Sequence, residues 1–155
     1  MNLLTVNLAL STLVFWAAAR IYVLPNLGQC SARAVLVPIL LLHSFRHLGL
    51  MFLAPGAVHD GMPPQFAYPA AFGDLAAAVL AMAAILTRAP RPLVWTFNVV
   101  GTVDLLAAIT LATIYGAPAF MGPAYWIPAF WVPALLVTHY LTFVVLMERN
   151  PRWAS

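Results

Sequence analysis

Five long apolar stretches follow one another along the chain, and proline, glycine or charged residues separate them. They cover residues 2–23, 34–54, 66–87, 93–116 and 126–147. Each has about the 20 residues that an α-helix needs to cross a bilayer core about 30 Å thick. None shows the strict apolar–polar alternation of a membrane β-barrel strand. The pattern therefore predicts an all-α integral membrane protein, a bundle of five transmembrane helices.

These stretches and their short connections leave no room for a separate soluble domain in a chain of 155 residues. We therefore expect a single transmembrane domain over residues 1–155. The first stretch is predicted to be a helix rather than a cleaved signal peptide, because no basic residue precedes Arg20.

The arginines predict the orientation of the bundle. They flank the first and third connections and the tail: Arg20, Arg33, Arg88, Arg91, Arg149 and Arg152. The second connection carries only His59 and Asp60, and the fourth, residues 117–124, carries no charge. Basic residues accumulate on the cytoplasmic side of membrane proteins. We therefore expect a multi-pass protein of a bacterial inner membrane, with its N-terminus outside and its C-terminus in the cytoplasm.

Composition narrows the possible partners and chemistry. Hydrophobic residues make up 64% of the chain and charged residues 7%, whereas soluble domains are about 45–50% apolar. The net charge of +3 comes from scattered arginines, so we expect the lipid bilayer as partner and no nucleic acid. The chain has no lysine, which excludes Schiff-base chemistry. Cys30 is its single cysteine, so no internal disulfide and no cysteine metal site can form.

Ionisable residues interrupt the middle of the second apolar stretch. His43, Arg46, His47 and Leu50 follow i, i+3, i+4, i+7 spacing, which places them on one face of an α-helix. Because the cost of exposing charge to lipid is high, that face is predicted to point into the bundle.

Three further ionisable residues fall at similar depth in the other helices: Asp74, Asp104 and His139. An ionised Arg or Asp at the centre of a bilayer costs about 2.5–3.5 kcal/mol. We therefore expect Arg46 to form an ion pair with Asp74 or Asp104. Intramembrane ionisable groups usually serve function, so this cluster is the predicted site.

Aromatic residues and prolines collect at the predicted outer ends of the third and fifth helices, in residues 62–69 and 122–133. We expect bent helix ends that form an aromatic mouth over the polar cluster, with the first helix as peripheral support. The predicted catalytic residues are His43, His47, Asp74 and Asp104. The predicted ligand-binding residues are Arg46, His139, Trp126, Trp131 and Tyr68.

Other small or polar residues are predicted to serve packing. Gly49, Gly73 and Gly101 permit close approach of helix backbones. Asn98 and Thr102 share a face of the fourth helix and are expected to form hydrogen bonds between helices rather than to join the site.

Four classes of function use such a cluster. We favour a pocket that binds or transforms a small lipophilic molecule by acid/base chemistry. A proton- or ion-coupled transporter or channel is the second class. The third is a b-type haem between His43 and His139, or a metal at His43 and His47 with two carboxylates. Because Arg46 beside these ligands opposes a metal ion, no metal ligands are assigned. The fourth is an accessory subunit of a larger complex. The sequence identifies neither a cofactor nor an oligomeric state.

Overall fold

The computed structural model describes residues 3–147, which form helices and short connections without strands. Its main helices are α1 (Leu3–Ala18), α2 (Ala32–Ser44), α3 (Pro64–Leu86), α4 (Arg91–Ile114) and α5 (Val132–Met147). With the turns that extend three of them, the helical segments are Leu3–Gln29, Ala32–Leu53, Pro64–Leu86, Arg91–Ile114 and Gly122–Met147. All five are long and apolar enough to cross a membrane. They overlap the five predicted stretches, although the first segment ends six residues later and the fifth begins four residues earlier than predicted. Arg149 and Arg152 lie outside the described residues.

The helix boundaries follow from the residues at each end. The Ser31 hydroxyl accepts a hydrogen bond from the Ala34 backbone N–H at 3.2 Å and so caps the start of α2. Helix α3 begins at Pro64 and α4 has Pro92 as its second residue. Proline suits the first helical turn, because its fixed φ is helical and its missing N–H has no partner there.

Helix α2 changes its winding at Ser44 and continues as a 3₁₀-helix over Phe45–Leu53. A 3₁₀-helix has three residues per turn, so every third residue lies on the same face. Arg46, Gly49 and Phe52 are the buried residues of this segment, and they continue the line of the buried His43. The 3₁₀ winding therefore sets which side chains enter the bundle.

This winding corrects the predicted polar face of the second helix. Both His47 and Leu50 are exposed. The i+4 and i+7 positions face the same side as residue i only in an α-helix, where each residue turns about 100°. At about 120° per residue, position 47 turns away from Arg46. The prediction was right for His43 and Arg46 and wrong for His47 and Leu50.

Helix α3 packs against α2 with its 3₁₀ extension on one side and against α4 on the other. Its buried face consists largely of alanines, at residues 67, 70, 71, 77, 78, 81 and 84. These small side chains let neighbouring backbones come close. Helix α1 packs on α5 and on the π-helical turn Ile127–Trp131 that precedes it.

Two connections cover one end of the bundle, and we call residues 54–63 and 116–126 the cap. The His59 N–H donates to the Phe120 carbonyl at 2.8 Å, and the Ala124 N–H donates to the Ala57 carbonyl at 2.9 Å. The start of α1 lies at this cap end, where the Asn7 amide reaches the Tyr125 hydroxyl at 3.3 Å. The opposite end carries the described arginines other than Arg46, and we call it the arginine end.

Candidate functional site

The guanidinium of Arg46 lies fully buried between two carboxylates. Its Nε donates to Oδ1 of Asp74 at 2.7 Å, and its Nη2 donates to Oδ2 of Asp104 at 2.5 Å. The predicted pairing of Arg46 is confirmed, but it involves both aspartates instead of one. Arg46 thereby joins the 3₁₀ segment to α3 and α4.

The third guanidinium nitrogen connects Arg46 to α5. Nη1 donates to the Gly101 carbonyl at 3.1 Å and to Nε2 of His139 at 3.2 Å. Because arginine only donates hydrogen bonds, Nε2 of His139 must be the acceptor. The proton of this imidazole then sits on Nδ1, which donates to Oδ1 of Asn98 at 2.7 Å. His139 is therefore neutral and held by α4.

Asn98 completes what we call the Arg46 network: Arg46, Asp74, Asp104, His139 and Asn98. Its amide nitrogen donates to the backbone carbonyl of His139 at 3.3 Å. The predicted role of Asn98 between helices is confirmed, although it belongs to the polar cluster, which was not predicted. Thr102 instead donates to the Asn98 carbonyl of its own helix at 2.6 Å, so its predicted interhelical role is wrong.

The charges of the network do not balance when both carboxylates are ionised. One guanidinium faces two carboxylates, and His139 is neutral, so the sum is −1. The Arg46 side chain is 0% exposed, whereas those of Asp74 and Asp104 are 12% and 13% exposed. Unbalanced charge is costly in an apolar medium. The network can therefore take up one proton or one other cation.

Three glycines make the space that this network fills. An ideal Cβ at Gly49 would overlap the Asp74 carboxylate, and one at Gly73 would overlap that of Asp104. At Gly101 it would stand 2.6 Å from Cε1 of His139. The predicted role of these glycines in helix packing is therefore only part of their role. The available signal was their position, because each lies within three residues of Arg46, Asp74 or Asp104.

His43 lies beside the network and is oriented by α5. Its Nε2 is 2.9 Å from Oγ1 of Thr138, whose hydroxyl donates to backbone carbonyls of its own helix. Nε2 of His43 must then carry the proton, and Nδ1 is left as an acceptor. This buried Nδ1 has no hydrogen-bond partner among residues 3–147. The ring packs on those of His139 and Phe97, with centroid distances of 4.3 and 5.0 Å.

This geometry does not fit a b-type haem between His43 and His139. The macrocycle would have to lie between the two imidazoles, yet their centroids are only 4.3 Å apart. In addition, Nε2 of His43 faces Thr138 and Nε2 of His139 faces Arg46, so neither atom points toward a shared iron. Within the described part of the chain, no three His, Cys, Asp or Glu side chains are arranged to hold a metal ion.

A cavity of about 480 Å³ lies between the Arg46 network and the cap. Its walls come from α1, α3, α4, the end of the 3₁₀ segment and the chain before α5, and they are mainly apolar. Asp74 is the ionisable residue of the lining. It lies ten residues, or about 15 Å, along α3 from Pro64, and so forms the floor near the middle of the bundle. We call this space the cap-end cavity.

The exposed part of the cavity lining lies at the cap end, where α1 begins, α4 ends and the second connection of the cap starts. The exposed residues of its lining are Thr5, Thr113, Gly116 and Ala119. Helix α1 packs on α5, whereas α4 packs on α3 and α5. The cap covers the end of the bundle. Leu4, Thr5 and Leu8 supply part of the wall, so α1 is not merely the peripheral support that we expected.

Of the predicted catalytic residues and His139, only Asp74 lines the cap-end cavity. Asp74 lines the cap-end cavity, whereas Asp104, His139, Arg46 and His43 lie in or beside the network behind it. The site therefore has two parts, a closed polar network and an apolar cavity, which meet at Asp74.

The remaining predicted residues lie away from the lining. His47 is exposed, and its Nδ1 is 2.9 Å from the Ser44 carbonyl of its own helix. Tyr68 is 55% exposed on the outside of α3. Trp126 and Trp131 pack edge to face, with centroids 6.0 Å apart, but the lining nearby consists of Ile127, Pro128 and Val132. The predicted aromatic mouth is thus not the opening of this cavity.

Comparison with known proteins identifies a family but no activity. No curated protein and no solved structure matches this chain. A family model described as a domain of unknown function, DUF8737, matches residues 3–147, the stretch that holds both the Arg46 network and the cap-end cavity. The chain therefore belongs to the DUF8737 family.

Proposed function

We propose that this protein binds a small lipophilic molecule in the cap-end cavity, with Asp74 as the polar group at its floor. A single observation carries the proposal: an apolar cavity of about 480 Å³ ends on a carboxylate in the middle of the bundle. Ligand pockets are typically about 300–1,000 Å³ in volume, mainly apolar, with a few polar groups that orient the ligand.

The proposed setting is a bacterial inner membrane, with the N-terminus and the cap outside and the arginine end in the cytoplasm. The distribution of Arg20, Arg33, Arg88 and Arg91 supports this orientation. The exposed lining residues Thr5, Thr113, Gly116 and Ala119 then lie at the outer end of the bundle, where a lipophilic molecule can enter the cavity.

Any acid/base chemistry on the bound molecule falls to Asp74 in this proposal. His43 and His139 do not line the cavity, so neither can exchange a proton directly with a molecule bound there. His139 positions the network instead, because it accepts a hydrogen bond from Arg46 and Arg46 holds the Asp74 carboxylate.

A pair of neighbouring alanines on α4 gives a matched test of the cavity. Ala108 lines the cavity and Ala107 is exposed on the outer side of the same helix. We expect Ala108→Phe to fill the cavity and lower the binding of tritiated 1-naphthalenemethanol at least tenfold. Ala107→Phe should leave binding unchanged. The measurement is equilibrium dialysis with protein in nanodiscs, corrected with empty nanodiscs. Equal binding by the wild type and both variants contradicts the proposal.

A proton-coupled transporter is the second candidate, and the unbalanced charge of the network favours it. A group that holds one proton beside a cavity is the element that such a transporter needs. In proteoliposomes with an imposed pH gradient, a dye inside should then report proton entry, and Asp74→Asn should stop it. Identical proton entry in protein-free liposomes would remove this candidate.

A further inference from the structure

The position of the surplus negative charge indicates what kind of ligand the cavity takes. We infer that the ligand carries a cationic group, of the ammonium type, at one end of an apolar body. This inference rests on the proposed function, because it assigns a ligand class to the same cavity. The ammonium lies against the Asp74 carboxylate, and the apolar body fills the space toward the cap.

The Asp74 carboxylate has capacity left for such a group. Arg46 donates to Oδ1 through Nε, and no residue between 3 and 147 donates a hydrogen bond to Oδ2. The side chain is partly exposed and belongs to the cavity lining. Oδ1 accepts the hydrogen bond from Arg46 and Oδ2 packs against Gly49, so a ligand in the cavity meets the exposed part of a carboxylate that Arg46 does not saturate.

The charge of the surroundings selects a cation over the other ligand classes. Arg46 is shared between Asp74 and Asp104, so it cannot neutralise both. The other described arginines lie at the opposite end of the bundle, and the rest of the cavity lining carries no ionisable group. An anionic ligand would add a second unbalanced charge in a medium of low dielectric constant. A neutral alcohol could accept or donate one hydrogen bond, but it would leave the surplus charge to be balanced by a proton.

Three probes of nearly equal shape test this inference: 1-naphthylmethylamine, 1-naphthalenemethanol and 1-naphthoate. Equilibrium dialysis at pH 7 uses the full chain in nanodiscs of zwitterionic lipid, so that the membrane surface does not concentrate either ion. We expect the amine to bind at least tenfold more tightly than the alcohol, and the naphthoate to bind most weakly.

Two aspartate variants test whether Asp74 causes the preference for the amine over the alcohol. Asp74→Asn should remove the advantage of the amine, which is measured as the ratio of amine to alcohol affinity within the same variant. Asp60→Asn makes the same charge change on an exposed residue of the cap and should preserve this ratio. The Asp74 variant still holds a balanced pair of Arg46 and Asp104, and binding of either probe above that of empty nanodiscs shows that it is folded.

The outcomes separate this inference from the function on which it rests. Equal binding of amine and alcohol, with both lost in Ala108→Phe, overturns the cationic ligand and keeps the lipophilic pocket. A preference for the amine that persists in Asp74→Asn also overturns the inference. Binding of no probe above the empty nanodiscs overturns the pocket itself. The comparison of probes on the wild type decides the matter even if a variant does not fold.

Discussion

The carboxylate of Asp74 on α3 occupies the space in which a side chain at residue 49 would lie. Gly49 on the 3₁₀ segment and Asp74 therefore pack directly against each other. Gly73 and Asp104 form a second pair of this kind. The ion pairs of Arg46 therefore depend on the absence of two side chains as much as on the presence of the charges.

Adding a methyl group at either glycine should displace a carboxylate from Arg46. We expect Gly49→Ala and Gly73→Ala to lower the free energy of unfolding by about 1–3 kcal/mol each, the usual range for overpacking a core. Gly28→Ala is the matched control, because a Cβ there meets no atom within 4 Å. Unfolding in mixed detergent micelles measures all three, and a loss at Gly28 equal to that at Gly49 would contradict the prediction.

Removal of the buried cation should be more damaging. Arg46→Leu leaves two carboxylates without their partner, and we expect a loss of about 3–5 kcal/mol in the free energy of unfolding. Adding Asp74→Asn to that variant should restore part of the loss. The exposed Arg33 provides the control, since Arg33→Leu should change stability little. Strictly additive effects of the Arg46 and Asp74 substitutions would show that the pair contributes no coupling energy.

The two buried histidines should hold their protons on opposite nitrogens. His139 accepts from Arg46 through Nε2 and donates from Nδ1, whereas His43 donates from Nε2 to Thr138. Nitrogen-15 chemical shifts of labelled imidazoles distinguish the two tautomers. Asn98→Leu should alter the His139 spectrum and leave that of His43 nearly unchanged. The same tautomer at both residues would disprove this arrangement of donors.

The proposed orientation predicts where reporter domains are active. A reporter fused after Ser155 should be active in the cytoplasm, and one inserted near His59 in the cap should be active outside, because arginines favour the cytoplasmic side. A reporter between α3 and α4, near Arg88, should match the one at the C-terminus. Cytoplasmic activity of the His59 insertion would reverse the proposed topology.

The sequence predicted the five helices well because their signal is local. Apolar length, prolines and glycines place most boundaries within a few residues, as α3 shows with 66–87 expected and Pro64–Leu86 found. The end of the first segment differs most, with residue 23 expected and Gln29 found. The pairing of Arg46 was also predictable, since a buried guanidinium requires an anion and the chain supplies Asp74 and Asp104 at similar depth.

The position of His47, the cavity and the residues of its wall could not be predicted, because they depend on how the helices wind and pack and not on residue spacing. His47 was assigned to the site because α-helical winding was assumed, and the change to 3₁₀ winding after Ser44 moved it to the outside. The cap-end cavity arises from how α1 leans on α5, and no residue pattern in α1 signals that. Trp126 and Trp131 were predicted to line the entrance of the site, but Ile127 and Val132 form the cavity wall there.

The 3₁₀ segment carries both Arg46 of the network and Phe52 of the cavity wall, so its winding sets the positions of both side chains. Relative to an α-helix, each of its nine residues adds about 0.5 Å of rise and about 20° of turn. If residues 45–53 were rewound as an α-helix, the segment would shorten by about 4–5 Å and Phe52 would swing through roughly 160°. That screw motion would withdraw an aromatic ring from the wall while Arg46, close to the pivot, turned by only about 40°. The winding of this one segment thus places both Phe52 in the cavity wall and Arg46 in the network.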